Sequence, residues 1–172
     1  MKRKIEITIL LIVSILIINV DGTYAKTSKN LVRNPGFESS DFSMWKYKGT
    51  GMDKLDYYTE DPVGIWDKED DCHSGDYTFH FWSTYKHHFR LEQTISKKKL
   101  NKKKTYKASV YIQGDEVGKN AEIYLYVIAD GKKYVSGLVE LDGWQDWKKV
   151  TIDNIKCTKG DVKIGVYVDH AA

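Results

Sequence analysis

The chain has 172 residues, of which 41% are hydrophobic and 30% charged, and its formal net charge is +3. This length suffices for one domain with a real core but not for two. The nearly balanced charge excludes the strongly basic chemistry that nucleic acids or anionic membranes select.

The first 25 residues have the pattern of an export signal. Lys2-Arg3-Lys4 precedes an apolar stretch from Ile5 to Val20, and Thr23-Tyr24-Ala25 supplies the small residues of a cleavage site. We therefore predict a signal peptide over 1–25 and a secreted domain over 26–172, with a formal charge of +2 after three cations and two anions are removed. The alternative is an uncleaved anchor, but the stretch is short for a span of about 20 apolar residues.

Beyond this segment, apolar and polar residues alternate with the period of a β-strand and show almost no helical period. The alternating runs lie at 77–82, 89–92, 106–113, 123–128, 150–152 and 162–168. Glycine turns separate them, and Asp130-Gly131 is a strong hairpin signal. Many short strands at this spacing predict an all-β fold, an antiparallel β-sandwich.

Two features outside the strands have alternative interpretations. The lysine-rich stretch from Lys97 to Lys104 predicts a solvated turn beside a sheet edge, with a polyanion site as the alternative. Cys72 and Cys157 either form a disulfide, as export permits, or remain separate thiols, since spacing alone cannot place them within bonding distance.

The outward faces of the predicted strands combine flat rings with directional hydrogen-bonding groups. An aromatic ring packs against the C–H face of a sugar, while polar groups distinguish the orientations of its hydroxyls. The sequence therefore predicts a carbohydrate-binding surface, although cross-strand pairs on a half-exposed sheet have similar composition. The flat residues are Trp82, Tyr111, Tyr124 and Tyr126, and the polar ones are His80, Arg90 and Gln113.

Catalytic motifs are scarce in this sequence. A glycosidase needs two carboxylates about 5–10 Å apart across the sugar, and the acidic run Glu69-Asp70-Asp71 is too local to provide them. No nucleophile elbow, zinc helix, Cys-x-x-Cys pair or phosphate loop is present. From the motifs alone, a binding module and an enzyme both remain open.

Several stretches carry a family resemblance that extends over essentially the whole segment 26–172. The opening 30–38 resembles jelly-roll carbohydrate-binding modules, and the stretch 73–83, which begins His73-Ser74-Gly75-Asp76-Tyr77, is similar to carbohydrate-binding module family 61. Further similar stretches are 91–95, 108–114, 123–127 and 143–147. Modules of this family are appended to secreted endo-β-1,4-galactanases.

The resemblance implies a jelly roll that binds β-1,4-galactan, a plant cell-wall polysaccharide. It implies His80, Trp82, Arg90 and Gln113 as ligand positions, beside the outward Tyr124 and Tyr126. It also implies a structural calcium ion held by the Gly36 carbonyl, the Glu38 carboxylate and the His73 and Asp76 carbonyls. Oxygen ligands from two loops suit this hard cation.

The chain departs from the family pattern after Val168, since it ends at Asp169-His170-Ala171-Ala172. The resemblance implies a final strand, with a tryptophan and a calcium-binding aspartate, that is missing here. We therefore expect a fragment of a longer protein, the N-terminal part of a galactanase whose catalytic domain follows. The alternatives are a module for another β-glycan, such as xylan or β-glucan, and a cell-surface adhesion or structural domain.

Overall fold

The computed structural model describes residues 6–9, 29–39, 43–50, 63–66, 72–82, 87–114, 121–141 and 145–170. Within these ranges the chain forms ten strands and one short 3₁₀ helix, Lys97–Lys99. All strand pairs are antiparallel. The strands are β1 Glu6–Ile9, β2 Lys46–Thr50, β3 Val63–Trp66, β4 Thr78–Trp82, β5 His87–Ile95, β6 Thr105–Gly114, β7 Glu122–Ala129, β8 Lys132–Val135, β9 Gln145–Lys156 and β10 Val162–His170.

Five strands form one layer of the fold in the order β2-β5-β10-β7-β8. β10 lies at its centre, with Val166 opposite Leu91 of β5 and Leu125 of β7. These three side chains are fully buried, whereas their neighbours in sequence face outward. The period-2 pattern of the sequence therefore becomes one buried face and one outward face, as in antiparallel sheets generally.

The second layer consists of β3, β4 and β1 in hydrogen-bonded order, together with the β6-β9 pair. β1 pairs with β4 along its length and also contacts β6, so it lies between these two strands. The β6-β9 register shifts between Tyr106 and Ala108 and again between Ile112 and Gly114. Such bulges bend a strand and increase its local twist.

Buried side chains from both layers form one hydrophobic cluster. Phe37, Phe79 and Phe89 lie at its centre, with ring centroids 5.6 Å apart between the first two and 5.9 Å between the last two. A two-layer antiparallel sheet structure around one core is a β-sandwich. The all-β prediction is therefore confirmed.

Turn chemistry explains the β7-β8 hairpin. Asp130 has φ 52° and Gly131 has φ 79°, and the two-residue turn they form needs positive φ at both positions. The Asp130 carboxylate also accepts hydrogen bonds from the backbone N–H groups of Thr158 and Lys159, at 2.7 and 2.8 Å. The Thr158 hydroxyl donates a further 2.7 Å hydrogen bond to this carboxylate, and this bond, followed by the backbone bonds, lowers the pKa of Asp130 to about 2.

The lysine-rich stretch and the cysteines were the two features with open interpretations. The stretch from Lys97 to Lys104 forms the 3₁₀ helix and a turn with mostly exposed lysines, as predicted. Cys157 is a buried thiol in this structure, and burial with the nearby Asp130 charge raises its pKa to about 11. Residues 171–172 and the Asp142-Gly143 turn lie outside the described residues.

β1 falls inside the segment predicted to be the export signal. Its four residues occupy a strand position in the second layer. In the described part of the chain, no helix is long and apolar enough to cross a membrane. Cleavage after Ala25 stays a prediction, and it would remove β1 from the sheet.

Candidate functional site

The six residues predicted to contact carbohydrate fall on different layers of the sandwich. His80 and Trp82 belong to β4 and Gln113 to β6, in the second layer. Arg90, Tyr124 and Tyr126 belong to β5 and β7, in the five-stranded layer. The outward faces of two packed layers point in opposite directions, so one groove cannot include all six.

An aromatic cluster lies on the outward face of β6 and β9. The rings of His73 and Tyr111 stack with centroids 3.7 Å apart, and Trp147 meets His73 edge-on at 5.7 Å. All three side chains are half-buried, so part of each ring stays accessible. We call these three residues the aromatic cluster. Flat rings held in a fixed arrangement provide a surface for the C–H face of a sugar.

Three buried polar atoms, one of them in the aromatic cluster, lack hydrogen-bond partners. Among the residues with described side chains, three buried atoms are unsatisfied: His73 Nδ1, Thr78 Oγ1 and Gln113 Oε1. An unpaired buried polar group costs about 1–3 kcal/mol, so such groups in folded proteins usually have a structural or functional explanation. Gln113 lies on β6 two residues beyond Tyr111, and Thr78 lies on β4. These atoms are buried from solvent, so a ligand reaches them only where neighbouring groups move aside.

The charge state of His73 follows from its surroundings. Desolvation and the Lys149 charge both lower the pKa of His73 below its ordinary value of 6.5. Lys149 itself lies with its Nζ 5.1 Å from the centre of the Tyr111 ring. The imidazole is therefore neutral at pH 7, with one nitrogen that donates and one that accepts a hydrogen bond.

β4 carries the backbone of His80 and Trp82 beside this surface. His80 pairs with Gly64 of β3 and Thr8 of β1, and Trp82 pairs with Glu6 of β1. Their side chains lie outside the described residues. Their predicted contacts with carbohydrate therefore stay predictions.

The opposite layer presents a second group of tyrosines. Tyr124 packs against Tyr167 with ring centroids 5.0 Å apart, and Lys133 donates a 3.0 Å hydrogen bond to the Tyr124 hydroxyl. Tyr126 lies deeper, since only 2% of it is exposed, and its hydroxyl donates to Glu92. Burial and this carboxylate raise the pKa of Tyr126. Tyr126 therefore supports the surface from below rather than forming a platform on it.

The predicted calcium residues lie where two loops meet. The Glu38 carboxylate accepts hydrogen bonds from the backbone N–H groups of Asp76 at 3.1 Å and Tyr77 at 3.4 Å. Gly75 has φ 74°, and a Cβ there would overlap the Glu38 carboxylate. Gly36 adjoins the same carboxylate, since a Cβ there would lie 3.5 Å from Oε1. The structure thus brings together the loop with Gly36 and Glu38 and the loop from Gly75 to Tyr77. We call this contact the Glu38 junction.

The donor chemistry of the Glu38 junction fits a hard cation. Among the described residues, no group of three or more His, Cys, Asp and Glu side chains surrounds a common point. Calcium at this junction would therefore depend on one carboxylate and on backbone carbonyls, which are acceptable oxygen ligands. An ionised carboxylate has about four lone-pair sites, so Glu38 retains acceptor capacity beyond its two amide bonds.

Sequence patterns did not single out two members of the aromatic cluster. Trp147 was not among the residues predicted to contact carbohydrate and packs partly against the hydrophobic core, and the family resemblance implied only the carbonyl of His73. The alternation that places Tyr111 and Gln113 on one face was visible. The approach of His73 was not visible, because it depends on how the loop before β4 lies across β6.

Comparison with solved structures identifies a similar protein. The chain matches a structure of TmCBM61 in complex with β-1,4-galactotriose with a TM-score of 0.66 and 30% sequence identity. The match covers 84% of this chain and 90% of that chain. No protein-family model and no curated protein matches the chain.

Proposed function

Because the chain belongs to carbohydrate-binding module family 61, we propose that it binds β-1,4-galactan at the aromatic cluster. The carrying observation is that the half-buried rings of His73, Tyr111 and Trp147 are held together on one outward face. These rings would contact the apolar face of galactose, and Gln113, on the same strand as Tyr111 and implied by the family resemblance, would bind its hydroxyls. The similar structure holds β-1,4-galactotriose, which supports galactan as the proposed ligand.

Affinity electrophoresis in galactan tests this proposal. Wild-type protein should be retarded, whereas Tyr111→Ala and Gln113→Ala should migrate almost as they do without galactan, and Trp82→Ala tests the β4 prediction. Tyr47→Ala is the matched control, because Tyr47 is a 47% exposed tyrosine on β2 of the other layer. Unretarded migration of folded wild-type protein would refute the proposal, and gels with xylan or β-glucan test the alternative ligands.

We also propose that calcium binds at the Glu38 junction. Support comes from the meeting of the two loops at one carboxylate. Calcium that binds only the folded state should raise the unfolding free energy by about 2.7 kcal/mol at a hundred times its dissociation constant. Calorimetry with calcium and with EDTA should show this difference in wild-type protein and not in Glu38→Gln. An identical melting temperature in both solutions would contradict the proposal.

We also propose that the module is exported and is attached to a galactan-degrading enzyme. The charged start, apolar stretch and small residues before Lys26 support export, and the resemblance supports attachment to a galactan-degrading enzyme. Mass spectrometry of the exported protein tests cleavage after Ala25. Sequencing the reading frame beyond Ala172 tests for a catalytic domain. We expect residues 26–172 alone to release no reducing sugar from galactan.

A further inference from the structure

A basic depression crosses the outward face of the five-stranded layer, opposite the aromatic cluster. It has a volume of about 510 Å³ and is lined by Lys48, Gly49, His88, Arg90 and Tyr167. Its lining comes from β2, β5 and β10, which are adjacent and hydrogen-bonded. The depression is therefore built on sheet strands rather than on loops.

Two cations face each other directly across the strands at this depression. Lys48 of β2 is the register partner of Arg90 of β5. Directly opposed residues on neighbouring strands have their Cβ atoms about 4.5–5.5 Å apart, and like charges there are destabilising. Within the described residues, neither Lys48 nor Arg90 forms an ion pair, and both are exposed. An anion bound between them would remove this repulsion.

The acidic residues nearby already have partners. Glu92 accepts a hydrogen bond from Tyr126 and lies 3.4 Å from Lys163 Nζ. Asp169 lies 2.9 Å from His88 Nδ1 and accepts a hydrogen bond from the Tyr167 hydroxyl at 3.2 Å. Among the described residues, Lys48 and Arg90 therefore have no carboxylate partner of their own.

The positive surface continues along the same sheet. A second depression of about 400 Å³ shares Lys48 with the first, and its lining includes Arg33, Lys46 and Lys163. Glu92 is the only acidic residue among the described residues of that lining. The two depressions together therefore offer several adjacent cations to an extended anionic polymer, rather than one isolated site.

We propose that this face is a second carbohydrate-binding site, specific for the carboxylate of an acidic polysaccharide. The planar Arg90 guanidinium matches a carboxylate through two parallel hydrogen bonds, and Lys48 adds a second positive charge. Tyr167 supplies a ring at the edge of the depression for the sugar face. The site does not depend on the proposed galactan site, since it lies on the other layer.

Binding of polygalacturonate, measured by isothermal titration calorimetry at low salt, tests this second site. Wild-type protein should bind, and Arg90→Ala should weaken binding about tenfold or more, since hydrogen bonds to charged groups are the stronger ones. Arg90→Lys, which keeps the charge and loses the planar fork, should give an intermediate affinity. Lys103→Ala is the control, because it removes an equal charge from the exposed turn before β6 and should leave binding unchanged.

Titrations with other polysaccharides distinguish a carboxylate-specific site from general attraction between opposite charges. Fully methyl-esterified polygalacturonate should not bind, and dextran sulfate should bind more weakly than polygalacturonate. Absence of binding to polygalacturonate, an equal loss in Lys103→Ala, or tighter binding of dextran sulfate would overturn the proposal. Galactan retardation measured on Lys48→Ala keeps the two sites distinct, because this variant should weaken polygalacturonate binding and retain galactan retardation.

Discussion

At the scale of single residues, the Glu38 junction depends on the Glu38 carboxylate and on Gly75, whose lack of a side chain leaves room for that carboxylate. Glu38 bonds two amides of the loop before β4, and Gly75 leaves the space that its carboxylate occupies. The sequence indicated that these positions belong together only through family resemblance. Their actual contact, a carboxylate inserted against a glycine of positive φ, is a tertiary feature separated by more than thirty residues.

Substitution of Gly75 by alanine should therefore be costly. A Cβ at Gly75 would displace Glu38 from its two amide bonds and would be strained at φ 74°. Gly131→Ala is the control, since its φ is 79° and no atom lies within 4 Å of the added Cβ. In urea denaturation, Gly131→Ala should lose about 1 kcal/mol of unfolding free energy and Gly75→Ala about 2–4 kcal/mol.

The double variant Gly75→Ala/Glu38→Ala checks the cause of that difference. If the carboxylate overlap is responsible, adding Glu38→Ala to Gly75→Ala should cost little further stability. Equal losses for Gly75→Ala and Gly131→Ala would mean that Glu38 moves without cost and that its amide bonds contribute nothing.

His73 should make the stability of the protein depend on pH. Its pKa in the folded state lies below the ordinary 6.5, so the unfolded chain takes up the proton first as pH falls. The His73 contribution is therefore fully present above pH 6.5 and is lost as pH falls from 6.5 through the folded pKa. Urea denaturation from pH 5 to 8 should show a steeper acid loss for wild type than for His73→Gln. Parallel profiles would contradict this assignment.

At the scale of elements, local pattern determined which strands could be recognised. β6, β7 and β10 carry apolar residues at alternate positions, and the Asp130-Gly131 turn joins β7 to β8 as predicted. β2 and β3 were not predicted, because Lys46–Thr50 has no apolar alternation and Val63–Trp66 is very short. These two strands form through pairing with β5 and β4, which supplies hydrogen bonds that local sequence does not encode.

The placement of β1 gives a prediction for processing. Removal of residues 1–25 should leave the β4 edge that faces β6 without its partner. We expect the 26–172 chain to lose about 1–3 kcal/mol of unfolding free energy relative to the full chain, from the net value of a few backbone hydrogen bonds. An exposed strand edge also favours association, which size-exclusion chromatography measures.

A proline in the full chain provides the matched control for this prediction. Thr8→Pro removes a backbone donor at the register partner of His80 without shortening the chain. It should reproduce most of the loss seen on removal of residues 1–25. Equal stability of all three chains would show that β1 contributes nothing to the sheet.

At the scale of the whole molecule, the two packed layers separate the two proposed binding surfaces. The aromatic cluster lies on one outward face, and the depression around Arg90 and Lys48 lies on the other. Residues predicted from sequence as one carbohydrate site are therefore divided by the core. Strand alternation distinguishes outward from inward side chains but does not say to which layer a strand belongs.

This separation predicts independent effects of substitutions on the two faces. Stability losses of Gln113→Ala and Arg90→Ala should add within about 0.5 kcal/mol in the double variant, since distant sites without shared partners are additive. Urea denaturation of wild type, the two single variants and the double variant measures this coupling, and a larger value would indicate that the layers communicate.

The sequence by itself determined the all-β class, the outward and inward faces of the long strands, and the family. It did so because side-chain alternation, glycine turns and family-specific stretches are local in the chain. Tertiary structure alone decided which outward faces share a layer, which loop lies against Tyr111, and where Glu38 inserts. Those outcomes depend on strand order and on contacts between distant residues, and strand order follows from packing of the common core rather than from any single stretch.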